Sequence, residues 1–377
     1  MNQNNDRIKI SSTQFLNSMQ NRRLRTKKIN KVAGILSLIL LFGLKSWAQD
    51  PIFSQFYNAP LQINPAFAGI SEDPVIAVNY RDQGPGLVQR FGFPNGAYTT
   101  YAASYDQYFP TANSGIGLMV IGDTAGEGTR GGNLLSTIGI SGFYSYNLNV
   151  NDEYFLKFGL EAGVTQSRIN WSELCFLDQL QNNPGSSCQT LPTGSTSSSA
   201  PPGNLSNSYF DVSMGIMLYS SRYYGGVSIK HLNTPDYNFY QTQTNLADGL
   251  PVRMTVHGGY QINLDPTQRR TFGAYIAPNF LYTRQAELSQ LNVGAIIGYQ
   301  HFFLGGWYRH AFGNADAAIL SAGTAVGKIK VSYSFDFTVS RLSINNTRGA
   351  HEVGIIYNFA RVEDKKSNIN DCFSIFR

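Results

Sequence analysis

The feature that most constrains this chain is an alternation of apolar and polar residues at every second position, held over runs of ten residues or more. Between residues 253 and 264, Met254, Val256, Tyr260, Ile262 and Leu264 share one face, while Arg253, Thr255, His257, Gln261 and Asn263 share the other. Residues 155–166 divide in the same way, with Leu156, Phe158, Leu160, Ala162 and Val164 opposite Lys157, Gly159, Glu161, Gly163 and Thr165. Residues 329–338 set Ile329, Val331, Tyr333, Phe335 and Phe337 against Lys330, Ser332, Ser334, Asp336 and Thr338. Successive side chains of a strand point to opposite faces, so each segment is a strand with one greasy and one polar side. The runs are about twice the usual soluble strand and match a strand that crosses a membrane at a tilt. Nothing after Ala48 approaches an 18-residue apolar stretch, which excludes a helical membrane span.

Fourteen such strands are expected between residues 74 and 360, and their connections fall into two sets. Those after even-numbered strands are short (110–113, 149–152, 221, 264–269, 300–301 and 326–327). Those after odd-numbered strands are mostly longer (83–96, 124–131, 169–206, 232–249, 282–288, 312–315 and 339–348). Short and long connections on opposite rims predict an all-β fold, a transmembrane outer-membrane β-barrel of about 14 antiparallel strands. Its short turns face the periplasm and its long loops face outward. The ring must close, because an open edge in hydrocarbon would strand backbone donors and acceptors. Charged residues make up only 14% of the chain and aromatics 13%, a balance suited to a surface that meets lipid.

The formal charge of +5 points toward nucleic acid until its distribution is considered. Nine of the 29 Lys and Arg residues lie in the first 48 positions, against one of the 24 acids, so the remainder is acidic by three. No basic stripe is left for a phosphate backbone, which disfavours nucleic acid as a partner. Residues 1–48 read as a signal peptide: a basic region to Lys31, an apolar run from Val32 to Leu44, then Ser46, Trp47 and Ala48 before a cut near Ala48/Gln49. Its long basic region leaves Met19 as an alternative start to Met1. Residues 49–73 lack alternation and are rich in aromatics and proline, so they either plug the lumen or project into the periplasm. The barrel spans 74–360, and 361–377 is expected as a periplasmic tail. Cys175 and Cys188 share one Asn/Ser/Gly-rich loop and are the expected disulfide in an oxidising compartment, with two free thiols as the alternative. Cys372 stands alone.

Catalytic constellations are thin. The five histidines (His231, His257, His301, His310 and His351) fall on separate strands and turns, and no Cys/His spacing resembles a metal site. No cofactor, metal or catalytic residue is therefore expected. His257 beside Arg253 is read as a solvated lumenal residue. Ser332, Ser334 and Asp336 are alternate positions that any lumenal strand supplies, though a membrane-embedded hydrolase would draw on them. The glycine-rich run Gly122 to Gly128 lacks the lysine of a phosphate loop and opens no helix. Lumenal Lys157, Glu161, Asp211, Arg253, Arg309, Lys330 and Asp336 carry mixed signs and are expected to pair across the barrel.

The run Gln49, Asp50, Pro51, Ile52, Phe53, Ser54, Gln55, Phe56, Tyr57, Asn58 and the box Ile63, Asn64, Pro65, Ala66, Phe67, Ala68, Gly69 resemble the PorP/SprF family, outer-membrane proteins of the type IX secretion and gliding machinery of Bacteroidetes. Further similar stretches follow in order: Asn79 to Gln83 with Pro85 and Gly86, Gly115 to Leu118, Ile169 to Ser172, Tyr209 to Val212 with Gly215, and His351 to Phe359. Gly84 stands where members usually carry tryptophan. The last strand, with Gly354, Tyr357 and Phe359, resembles the signal read by the barrel-assembly machinery, although 18 further residues follow it here.

The resemblance implies a non-enzymatic component that assists export or surface anchoring of large cargo such as adhesins, and gliding motility with it. Its implied partners are outer-membrane lipid, the periplasmic ring and peptidoglycan-associated components, and the C-terminal domain of secreted cargo. Partner contact is assigned to Pro51, Phe53, Ser54, Gln55, Phe56, Asn64, Pro65, Phe67 and Gly69. The competing function is an outer-membrane diffusion channel or hydrophobic-substrate transporter.

Overall fold

The computed structural model describes residues 50–71, 73–86, 97–127, 132–188, 190–192, 195, 197–199, 205–239, 249–264, 274–312, 314–339, 344–359, 373 and 376. The expected signal peptide and its cleavage site, Cys372 and most of the tail lie outside these residues. None of the described helices is long and apolar enough to cross a membrane.

Fourteen staves form the wall: β1 (Val75–Gln83), β2 (Tyr98–Phe109), β3 (Ser114–Glu127), β4 (Asn133–Asn149), β5 (Phe155–Ile169), β6 (Ser206–Tyr219) and β7 (Tyr223–Lys230), followed by β8 (Arg253–Tyr260, resumed at Ile262–Asn263), β9 (Tyr275–Gln285), β10 (Leu288–Tyr299), β11 (Phe302–Ala311), β12 (Asn314–Val326), β13 (Ile329–Thr338) and β14 (Ala350–Asn358). Each is antiparallel to its neighbours in the chain. β14 then pairs with β1 in unbroken register from Val75↔Asn358 to Gln83↔Ala350, which closes the ring and leaves no edge. The break in β8 falls at Gln261, whose N–H turns to the Arg222 carbonyl at 2.7 Å.

The faces are inverted relative to a soluble protein. Leu118, Ile140, Leu160, Val164, Ile297, Leu304 and Leu320 are exposed on the outside, whereas Arg81, Lys157, Glu161, Arg253, Asp336 and Glu352 are buried inside. Aromatics crowd both ends of the outer face: Phe109, Tyr146, Tyr299, Phe302 and Phe359 near the short turns, and Tyr80, Tyr308, Phe312 and Phe337 toward the long loops. Two such belts mark the water boundaries on either side of an apolar band.

One expected long connection is absent. Residues 282–285 continue β9, and only Ala286 and Glu287 join it to β10, with Ala286 in the left-handed region at φ 51°. Polar residues at this height are no evidence of a loop, because the strand end has already left the hydrocarbon. In the long connection after β5, Cys175 and Cys188 are joined, with Cα atoms 5.5 Å apart. A short helix (Leu177–Asn182) lies between them. Asp178 accepts from the backbone N–H of Ser198 and the hydroxyl of Ser197, which hold its carboxyl down to about 2.

Candidate functional site

Residues 50–71 do not project from the barrel. They occupy its lumen as three short helical turns, Phe56–Asn58, Pro60–Ile63 and Pro65–Phe67. The local sequence explains the turns. Pro60 and Pro65 each take a first helical position, where a missing N–H costs nothing. Asn64 caps the third turn, its Oδ1 accepting from Ala66 N–H at 2.8 Å. Gly69 then reverses the chain at φ 59° and leads it toward β1.

The wall holds this plug at both ends. Near its start, the Glu352 carboxylate accepts from the backbone N–H groups of Ser54 and Gln55, each at 2.8 Å. Arg81 bridges Glu352 (3.1 Å) and Asp336 (2.9 Å), and Arg309 adds a second contact to Asp336 at 3.0 Å. Hydrogen bonds to ionised groups contribute about 1.5–3 kcal/mol each. Removing one member of a buried ion pair costs about 3–5 kcal/mol. At the other end, Lys157 Nζ donates to the carbonyls of Ala68 (2.7 Å) and Gly69 (3.0 Å), Ser145 Oγ donates to Ala68, and Asp106 accepts from Gly69 N–H. Between the ends, Tyr57 stacks on Trp307 with ring centroids 5.4 Å apart, and the Lys330 ammonium sits over Tyr57 at 5.2 Å.

Close approach is written into the wall as missing side chains. A Cβ on Gly159 would lie 2.1 Å from Ala66 N, one on Gly215 1.9 Å from Asn64 Oδ1, and one on Gly115 2.2 Å from Ala68 O. Under Asn58, Gly354 has room for no side chain either, since its Cβ would come within 2.4 Å of the Asn58 amide. These glycines stand at inward positions where a barrel filled with water would carry polar side chains. That pattern was available in the sequence as a sign of a lumenal partner.

The residues assigned to partner contact all belong to this plug. Phe53, Ser54, Gln55, Phe56, Asn64, Pro65, Phe67 and Gly69 are buried, and Pro51 is partly so. In this conformation their surfaces are turned to the wall. Gly354 faces the plug, whereas Tyr357 and Phe359 point outward at the short-turn rim with rings 5.1 Å apart. His257 is lumenal but not solvated, which corrects the expectation. It is buried, its Nε2 accepts from Asn64 Nδ2 at 3.0 Å, and its ring lies 5.0 Å from Phe67. Several of the lumenal charges named above are paired, Lys230 with Glu161 at 2.8 Å, Arg309 with Asp336, and Arg253 with the plug's Asp50 at 3.0 Å, whereas Lys157 is held by plug carbonyls and Lys330 lies over Tyr57. His231, just past β7, lies between Asp50 (2.7 Å) and Asp211 (3.0 Å). Burial opposes its charge, but the two carboxylates outweigh it and raise the imidazole to about 9. A cavity of about 100 Å³ adjoins this cluster on the long-loop side of the plug. Ser332 accepts from Asn58 Nδ2 at 2.7 Å, and Asp336 is engaged by arginines.

Sequence comparison places this geometry. Residues 46–357 match the family of type IX secretion system membrane proteins PorP/SprF, a span that includes the whole plug and all but the last residue of the wall. The chain belongs to the PorP/SprF family. It is thereby a membrane component of the type IX secretion system, built on a barrel of the outer-membrane kind. No curated protein matches the PorP/SprF chain significantly. Solved structures similar to it include the outer membrane protein Omp33 of Acinetobacter baumannii, 10% identical, with 77% of this chain and 100% of that one aligned at a TM-score of 0.41. The toluene transporter TodX of Pseudomonas putida is 9% identical over 83% of this chain and 95% of its own, with a TM-score of 0.46. A FadL homologue of Pseudomonas aeruginosa is 13% identical over 78% and 93%, with a TM-score of 0.41. At these identities and scores, no function passes from those barrels to the PorP/SprF chain.

Proposed function

We propose that this PorP/SprF barrel is a docking and anchoring component of the secretion machinery, non-enzymatic, and that the translocation pore lies elsewhere. The observation that carries the reading is the plug. A lumen crossed by residues 50–71 and tied to the wall by Glu352, Lys157 and the close-packed glycines has no room for a folded adhesin. What remains for partners is the two rims. The short-turn rim faces the periplasm and meets the ring and peptidoglycan-associated components. The long-loop rim faces outward, and its disulfide-bonded connection after β5 receives the C-terminal domain of exported cargo. The plug's part is to fix the shape of both rims from within, so partner recognition depends on it although its residues are covered. Gly354, Tyr357 and Phe359 serve barrel assembly, and cleavage near Ala48/Gln49 releases the leader.

The test is deletion of residues 51–69. The barrel should still insert, as judged by a heat-dependent shift in gel mobility, while display of cargo at the cell surface is lost. Purified wild-type barrel should be silent in planar bilayers. Normal display by the deletion variant, or a steady open pore in the wild type, would return the competing transporter reading to first place.

A further inference from the structure

Phe373 and Phe376 belong to the segment expected as a free periplasmic tail, yet they are 0% and 3% exposed. Both rings sit at the short-turn mouth of the barrel in a well made of aromatic side chains. Phe376 lies 4.9 Å from Phe67 and 5.4 Å from Tyr224; Phe373 lies 5.1 Å from Tyr219 and 5.5 Å from Tyr224. The well is held by the wall and the plug. Tyr219 stacks on Phe155 at 5.2 Å and donates its hydroxyl to Asn147 Oδ1 at 3.0 Å. The Tyr224 ring lies across Gly259, where a Cβ would come within 2.6 Å of it. Phe67 is fixed by the turn that Asn64 caps.

We propose that this well is a binding site for an aromatic peptide of the form Phe-x-x-Phe, and that segment 373–376 of the chain is its resident, exchangeable occupant. Rigid aromatic rings seated in a preformed aromatic pocket are the recurrent anchors of peptide recognition. Both rings enter the same well, with centroids 6.0 Å apart. The connection from the last strand is long and polar: residues 360–372 include Arg361, Glu363, Asp364, Lys365, Lys366 and Asp371. Thirteen residues can reach roughly 45 Å when extended, so the two rings can leave the well while the barrel stays intact. The mouth opens on the short-turn side, and a competing peptide would approach from there. Peptide binding by the barrel is independent of any role in secretion.

The experiment uses purified barrel in detergent, either full-length or ending at Asn370, and a dye-labelled synthetic peptide with the sequence of residues 367–377 in which serine replaces Cys372. Fluorescence anisotropy should show the shortened barrel binding the peptide and the full-length barrel binding it at least about tenfold more weakly. A peptide carrying Phe373→Ala and Phe376→Ala should bind neither. A full-length barrel carrying the same two substitutions should behave like the shortened one, which covers the case in which truncation disturbs folding. Equal binding by full-length and shortened barrels overturns the proposal. So does equal binding of the alanine peptide, or the absence of binding to any form that retains its heat-dependent mobility shift.

Discussion

Gly159→Ala adds one methyl group to the wall at the point where it meets plug backbone. The new Cβ would lie 2.1 Å from Ala66 N and 2.3 Å from Pro65 C, against an ordinary contact of at least 3.4 Å. No flexible side chain can yield here, so the plug must retreat by about 1.3 Å or β5 must bend. Retreat by that distance carries three plug–wall bonds past hydrogen-bond length: Ser228 Oγ to Ile63 O, Asn64 Nδ2 to His257 Nε2, and Lys157 Nζ to Ala68 O. At about 1 kcal/mol for each neutral bond and about 2 for the charged one, the loss is about 4 kcal/mol. Bending the strand instead costs about 1–3 kcal/mol. The cheaper route sets the cost, so the plug should be destabilised by about 1–3 kcal/mol, which multiplies the plug-out population roughly 5- to 150-fold. Single-channel recording in planar bilayers reads that population as open events, while the heat-dependent gel shift checks that the wall is intact. The control is Gly142→Ala, which faces outward and whose Cβ would meet only Ala162 O at 3.9 Å. Gly159→Ala should open the barrel intermittently where Gly142→Ala leaves it silent. Identical silence and identical shift temperature for the two variants would refute the steric argument.

Two further outcomes follow from the loops. The His231 imidazole is raised from 6.5 to about 9, so its contribution to stability is complete below about pH 6.5 and is lost as pH rises through about 9. The shift temperature of the wild-type barrel should therefore fall across that window, and His231→Gln, which also faces Asp50, Asp211 and Arg253, should lack that part of the fall. Replacing Cys175 and Cys188 with serine removes a cross-link of sequence separation 13, worth about 3 kcal/mol to the loop by chain-entropy reckoning. Limited proteolysis should cut residues 170–205 faster while leaving the shift temperature unchanged, because the β5–β6 ladder runs unbroken from Arg168–Ser206 to Phe155–Tyr219.

The wall was legible because a strand's period is local: two residues suffice to say which face is greasy, and fourteen repetitions with alternating connection lengths leave little besides a barrel. Where sequence and structure part, polarity is the cause. Tyr282 to Gln285 look like loop, yet a strand that has cleared the hydrocarbon no longer needs an apolar face. The plug was only half legible. Its aromatic and proline-rich composition showed that it was no simple linker, but its place depends on Glu352 and Asp336, almost 300 residues away, and on Lys157 and Gly159, which meet it from the opposite side. No local period carries such a pairing. His257 departs from expectation for the same reason, since its environment is set by Asn64 and Phe67. The two tail phenylalanines are hidden by their charged neighbours, although they carry the largest apolar side chains of that polar stretch.

The seam between β14 and β1 also dictates an order of events during assembly. Val75 begins β1 only six residues after Gly69, so the strand that receives β14 is delivered by the same stretch of backbone that ends the plug. Glu352 and Asp336, which grip Ser54 and Arg81, arrive on the last two strands to be made. A ring that sealed first would have to draw its contents in through the mouth. Loading before sealing needs no threading, and the final zippering of the seam then closes the wall around contents already in place.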